Sequence, residues 1–93
     1  MSRIRVRAFW PIAAGVSAAS VSTETTTLFS DGRIEAGDFA VVTPANAGAA
    51  ALEGNAAGVF VTVTAGVVTI THAAAVGGEL WNVVVVPANM SEF

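Results

Sequence analysis

Gly78–Asn89 reads GELWNVVVVPAN, and this stretch decides how the chain folds. Four consecutive valines after a tryptophan are too β-branched to favour helix and too apolar to lie at an open surface. Pro87 ends the run, because proline has no N–H to give a ladder and holds Val86 extended. A strand apolar on both faces asks for cover on both sides, from a second sheet or from another subunit. The sequence therefore predicts Val83–Val86 as an internal strand with Trp81 largely buried beside it.

The neighbouring text supplies strands for that cover. Val59–Thr64 and Val67–His72 flank Ala65-Gly66 and form the clearest hairpin signal, expected beside the valine strand. A two-residue turn pairs Val63 with Val68 and Val61 with Ile70. A three-residue turn with a bulge at Gly66 pairs Val63 with Val67 and moves the faces by one, and the sequence leaves both open. Ser20–Phe29 is β-prone and carries Glu24 as its one charge. Ser30-Asp31-Gly32 and Gly37-Asp38 are turn signals, the second leading into a Phe39–Thr43 strand closed by Pro44. Between Ala45 and Gly58 the residues are mostly Ala, Gly and Asn. There Asn46 either caps a short helix through Glu53, ended by Gly54, or the segment is plain loop.

The chain also echoes itself. Val41-Val42-Thr43-Pro44-Ala45-Asn46 matches Val84-Val85-Val86-Pro87-Ala88-Asn89 at all but one position. Two copies are too few for a solenoid, and they suit a sandwich or barrel whose two halves each end in a buried strand. The predicted architecture is all-β: a small antiparallel β-sandwich or barrel with an extended N-terminal arm. Residues 1–20 form the arm and first strand, and residues 21–93 a single β domain.

Ninety-three residues make one small domain, and with no cysteine it has no disulfide framework and no thiolate metal site. Hydrophobic residues are 54% of the chain and charged ones 12%. A domain this small leaves much of its surface in water, so that imbalance predicts burial between copies. No uninterrupted apolar run approaches the ~20 residues of a membrane span. A secretory-type pattern over residues 1–20 is broken by Pro11 and Gly15.

Charge is lopsided: Arg3, Arg5 and Arg7 supply three of the four positive charges, and Arg33 alone faces seven acids thereafter. The three arginines alternate with Ile4, Val6 and Ala8, which places guanidinium groups on one side of an extended strand and aliphatics on the other. Phe9 and Trp10 follow as an aromatic anchor before Pro11. Arg3, Arg5, Arg7, Phe9 and Trp10 are thus the candidate partner-binding residues, with acidic protein surface the expected partner through charge-assisted pairs. Nucleic acid is disfavoured by the acidic remainder of the chain.

No catalytic set emerges. His72 is the single histidine, and without Cys, Tyr or Lys it has few partners for nucleophilic or general-base work; a structural donor is the expected role. Zinc lacks its ligand count, and Asp31, Glu35 and Asp38 match no calcium-loop spacing. The sequence is accordingly read as a non-enzyme without cofactor or metal.

Gly37–Asn89 resembles a module common in virion proteins of tailed bacteriophages. The resemblance lies in Gly37-Asp38-Phe39-Ala40-Val41-Val42-Thr43-Pro44, the small-residue loop Ala45–Ala51, the Val/Thr hairpin within Phe60–Thr71 and the closing Leu80-Trp81-Asn82-Val83–Val86 strand. It implies a small β domain on the virion exterior, made in the host cytoplasm and often trimeric. The single short module, with no stalk or receptor tip, resembles a capsid decoration (cement) protein more than a fibre. The implied partners are the major capsid protein and further copies of the chain, with no nucleic acid and no membrane. A tail or head fibre module, or a surface β adhesion domain, is the alternative. Residues 1–20 lie outside the resemblance.

Overall fold

The computed structural model of the protein describes residues 11–87, so Arg3, Arg5, Arg7, Phe9 and Trp10 lie outside the described residues. In chain order the elements are β1 (Ala13–Val16), β2 (Thr26–Ser30), β3 (Phe39–Pro44), helix α1 (Ala47–Glu53), β4 (Phe60–Thr64), β5 (Val67–Thr71) and β6 (Trp81–Val86). They form two antiparallel three-stranded sheets, one ordered β1-β6-β3 and the other β2-β5-β4. The fold is all-β, as the sequence predicts. β6 is the central strand of the first sheet.

Alternation along each strand sends one set of side chains inward. Val83 and Val85 of β6, Val68 and Ile70 of β5, Ala13 of β1 and Phe29 of β2 are buried in one apolar cluster with Trp81. Each fully buried valine or isoleucine there contributes roughly 1.5–3 kcal/mol. The hairpin takes the two-residue turn: Thr64 pairs with Val67, Val63 with Val68 and Val61 with Ile70. Gly66 takes φ +83°, a left-handed value that a residue with a Cβ adopts at a cost. Its N–H donates to Ile34 O at 2.9 Å, and Asp31 N–H donates to Gly66 O at 3.0 Å, so the β2–β3 connection holds the turn.

Three expectations are corrected. First, the hairpin is not a ladder neighbour of β6; β4 and β5 lie in the other sheet and meet β6 across the core. Second, the strand expected from Ser20 begins only at Thr26. Residues 17–25 instead carry the chain from one sheet to the other, beside the β5–β6 connection. Ser20 N–H donates to Glu79 O at 3.0 Å, Thr23 N–H to Ala75 O at 2.8 Å and His72 N–H to Thr25 O at 2.9 Å. Third, the two copies of the repeat do not both end in buried strands. They pair with each other as β3 and β6, Val41 opposite Val84 and Val42 opposite Val83, and β3 is an edge strand with Phe39 and Val41 exposed.

The short helix forms where Asn46 is read as a cap. Asn46 Oδ1 accepts from Ala49 N–H at 3.0 Å, satisfying one of the first-turn donors. Seven residues are too few for helix propensity alone, and burial of Ala49 and Leu52, three apart on one face, holds it down. Gly48 lies close against Glu79: a Cβ there would stand 3.1 Å from Glu79 Cγ, and the glutamate side chain would have to shift to admit it.

Candidate interaction surface

The outer face of the first sheet follows from its register. β1, β6 and β3 place Val16, Asn82 and Thr43 in one row and Ala14, Val84 and Val41 in the next, and Val86 lies opposite Phe39 at the end. Residues directly opposite one another share a face, and the partners of these rows, Ala13, Val83 and Val85, point into the core. The result is an apolar face with no charged side chain on its strands. Phe39 is 60% exposed, Val41 59%, Val16 52% and Val84 38%. Among the described residues, the cover that the valine run asks for on both sides is present on one side only.

The second sheet shows the opposite outer face. Its rows are Thr26–Thr71–Phe60, Leu28–Thr69–Thr62 and Ser30–Val67–Thr64. Hydroxyls dominate, with Phe60 and Leu28 as exposed apolar positions. A solvated antiparallel sheet normally looks like this.

Charge lies off both faces. Glu35 and Asp38 sit on the connection entering β3, next to Phe39; Glu35 N–H donates to Asp38 Oδ2 at 2.9 Å. Among the described residues Arg33 is the one arginine, and its guanidinium meets Asp31 Oδ2 at 2.7 Å. Side-chain and backbone N–H groups of Arg33 hydrogen-bond the Asp31 carboxylate and hold its pKa down to about 2. Among the described residues no group of three or more His, Asp or Glu side chains is placed to hold a metal ion.

The buried polar groups form two structural clusters. His72 is buried and stacks on Trp81 with ring centroids 6.1 Å apart and planes 20° off parallel. Its Nδ1 lies 2.7 Å from Ala73 O, and a carbonyl can only accept, so Nδ1 carries the proton. Nε2 then accepts from the Thr27 hydroxyl at 2.7 Å. The histidine serves the structural role read from its position. Trp81 Nε1 is buried with no partner, so the indole is held by packing alone.

Glu79 is the residue that sequence reading missed. It is 2% exposed, and its carboxylate accepts from the Ser20 hydroxyl, from Val76 N–H at 2.9 Å and from Gly77 N–H at 2.9 Å. The Ser20 bond first, then backbone N–H groups of Glu79, Val76 and Gly77, hold its pKa down to about 2 against desolvation. Gly77 and Gly78, both at positive φ, bend the chain so that these N–H groups converge. The paired glycines before a lone glutamate were the available signal.

Asn46 ties the same loop to the helix: its Nδ2 donates to Gly78 O at 3.0 Å and its Oδ1 also accepts from Leu80 N–H at 3.3 Å. Both clusters thus position β6, and the surface that β6 and its neighbours present is the outer apolar face. No helix among the described residues is long and apolar enough to cross a membrane. Comparison of the chain with known protein families, with curated proteins and with solved structures finds no match.

Proposed function

We propose that this chain is a non-enzymatic assembly module, a capsid decoration (cement) protein that binds and stabilises the major capsid lattice of a tailed bacteriophage. The observation supporting a binding role is the uncovered apolar face of β1, β6 and β3 centred on Val41 and Val84. Soluble monomers seldom expose a contiguous apolar face without a partner for it. The resemblance of Gly37–Asn89 to virion modules narrows the role to a phage exterior.

In this reading the arm is the second contact. Arg3, Arg5 and Arg7 present three guanidinium groups to acidic surface of the capsid protein or of another copy, and Phe9 and Trp10 provide the anchor. Exposed ion pairs are worth only ~0–1 kcal/mol each, so the arginines set register and partner choice while the aromatics set strength. Copies associate, with a trimer expected, because 54% hydrophobic content is high for so small a body.

Imaging of particles carrying the chain tests the location. Density on the capsid lattice is expected; density on the tail assigns a fibre module instead. Deleting residues 2–10 should leave a folded body that no longer decorates particles. Wild-type occupancy by the truncated chain would overturn the role given to the arm.

A further inference from the structure

The outer strands of the two sheets are β1 and β3, and β2 and β4. Their edges differ in what they offer. Along β2, Ala18 N–H already donates to Leu28 O at 3.2 Å. β1 is four residues long. β3 runs for six residues, FAVVTP, with no charge among them and an unbroken register. Edge strands are normally blunted by charge, a bulge or brevity, and β3 has none of these ahead of its closing Pro44.

The ladder fixes which backbone groups of β3 are open. Ala45 N–H donates to Leu80 O at 2.9 Å, and on the other side of β6 Ser17 N–H donates to Trp81 O at 2.8 Å. Bonded and non-bonded pairs alternate along an antiparallel ladder, so Phe39, Val41 and Thr43 turn their peptide groups towards β6. Ala40 and Val42 turn theirs outward, where no strand among the described residues meets them. Pro44, in the same phase, has no N–H to lose there.

A second β3 complements this edge when it lies antiparallel about a two-fold axis at Val41. Ala40 then stands opposite Val42 of the second copy and Val42 opposite its Ala40, so the open N–H and C=O groups of both residues are used. Val41, 59% exposed in the single copy, meets its own counterpart on the outer face, and Phe39 meets Thr43. Centring the pair on Val42 instead would set Ala40 C=O against Pro44, which has no donor. The antiparallel sense also sends the acidic connection before β3 to opposite ends of the contact. The two Asp38 residues stand about 20 Å apart at ~3.3 Å per residue, beyond the ~10 Å over which exposed charges act. β4 has an uncharged edge too, but its outward residues there are Thr62 and Thr64, so pairing through it covers hydroxyls.

We propose that β3 is a self-pairing edge through which two copies of this chain join, Val41 against Val41, into one sheet ordered β1-β6-β3-β3-β6-β1. The outward valines of β3 and β6 then form one apolar face spanning both copies. Such a contact is isologous and closes at two copies, where hydrophobic content and resemblance led to the expectation of a trimer. It concerns the free chain and stands apart from the capsid role.

With no native cysteine, the contact can be trapped. Full chains carrying Val41→Cys should oxidise to a covalent dimer at least about tenfold faster than chains carrying Thr62→Cys at equal concentration, because opposed non-bonded residues bring their Cα atoms to about 4.5 Å. Sedimentation of the unaltered chain at micromolar concentration should give twice the chain mass. Val41→Lys and Val41→Glu should each weaken that association at least about tenfold by opposing like charges at the axis. Mixing the two variants should restore a one-to-one heterodimer in native mass spectrometry. Ala40→Pro removes an N–H that the ladder to β6 does not use, so a folded monomer by circular dichroism is expected. Should that variant fail to fold, the lysine and glutamate mixture decides alone.

Val41→Cys chains that link no faster than Thr62→Cys chains overturn the inference; this is the result expected if another segment of the chain lies on the edge. A monomeric unaltered chain overturns it as well. So does a dimer or trimer that Val41→Lys leaves intact, which places the contact elsewhere.

Discussion

The two copies of the repeat begin within β3 and β6, at Val41 and Val84, which pair with each other, and the two strands have different fates. Equivalent positions keep the same face: Val42 and Val85 point inward, Val41 and Val84 outward. What differs is the neighbourhood. β6 has a strand on each side, and Val85 is fully buried; β3 has one neighbour, and Val42 is half-buried. Burial is a property of place in the sheet, and a local sequence cannot state it.

The most direct way to break this comparison is to truncate the two inward valines. Val85→Ala should cost about 2–3 kcal/mol, from two lost methyl groups plus a cavity, and Val42→Ala about 1 kcal/mol. Equal losses in urea unfolding would mean that the edge strand is as well covered as the central one.

Next in size is the loop that delivers β6 to its central place. Glu79→Gln turns one carboxylate oxygen into N–H₂, setting a donor against either Val76 N–H or the Gly77 N–H and Ser20 hydroxyl, and should cost about 2 kcal/mol at neutral pH. The Glu79 pKa is lowered from 4.5 to about 2 in the folded chain. A lowered folded-state pKa gives stabilisation that is fully present above the unfolded value and lost as pH falls through the folded one. The difference between wild type and Glu79→Gln should therefore shrink across that window. A difference that stays constant with pH would show that the carboxylate's charge is not what holds the loop.

The sheet opposite β6 offers the third test. Thr27→Val keeps shape but leaves His72 Nε2 buried without its donor, at a cost of about 1–2 kcal/mol. Recovery of that loss in the double variant Thr27→Val, His72→Phe would assign it to the orphaned nitrogen, and no recovery would assign it to packing. Gly66→Ala comes lower, at about 1 kcal/mol, from forcing a Cβ into φ +83°. The smallest effect belongs to the outward member of the comparison. Val84→Thr should change the stability of the isolated body by under about 0.5 kcal/mol, because its outer side meets water there. A larger loss measured on a monomer would mean that the face is already covered within one chain.

The hairpin and the centrality of the valine strand were legible because each rests on local chemistry, two Val/Thr runs around a glycine and a β-branched run ended by proline. The two-residue turn and the Asn46-capped helix were each one of two readings that local chemistry left open. The late start of β2 was not legible. Ser20 opens the β-prone stretch and Ser17 lies just before it, yet Ser17 Oγ accepts from Trp81 N–H at 3.1 Å and Ser20 Oγ from Glu79 N–H at 3.0 Å, so these hydroxyls serve backbone far along the chain. Nothing near residue 20 announces an acceptor needed at residue 79. The arm residues Arg3, Arg5, Arg7, Phe9 and Trp10 are legible as a pattern, and that pattern belongs to residues outside those the structure describes.

By itself the sequence determined strand character, the proline-ended strand termini and the alternation of side chains along the valine strand, since these depend on β-branching, proline and a period of two. It determined that Val84 and Val85 face opposite ways. Which of those two ways meets a core was decided only when β5 folded over one side of β6 and, among the described residues, no element folded over the other. Cover comes from chain remote in sequence, and its presence or absence separates a core valine from an exposed valine one residue away.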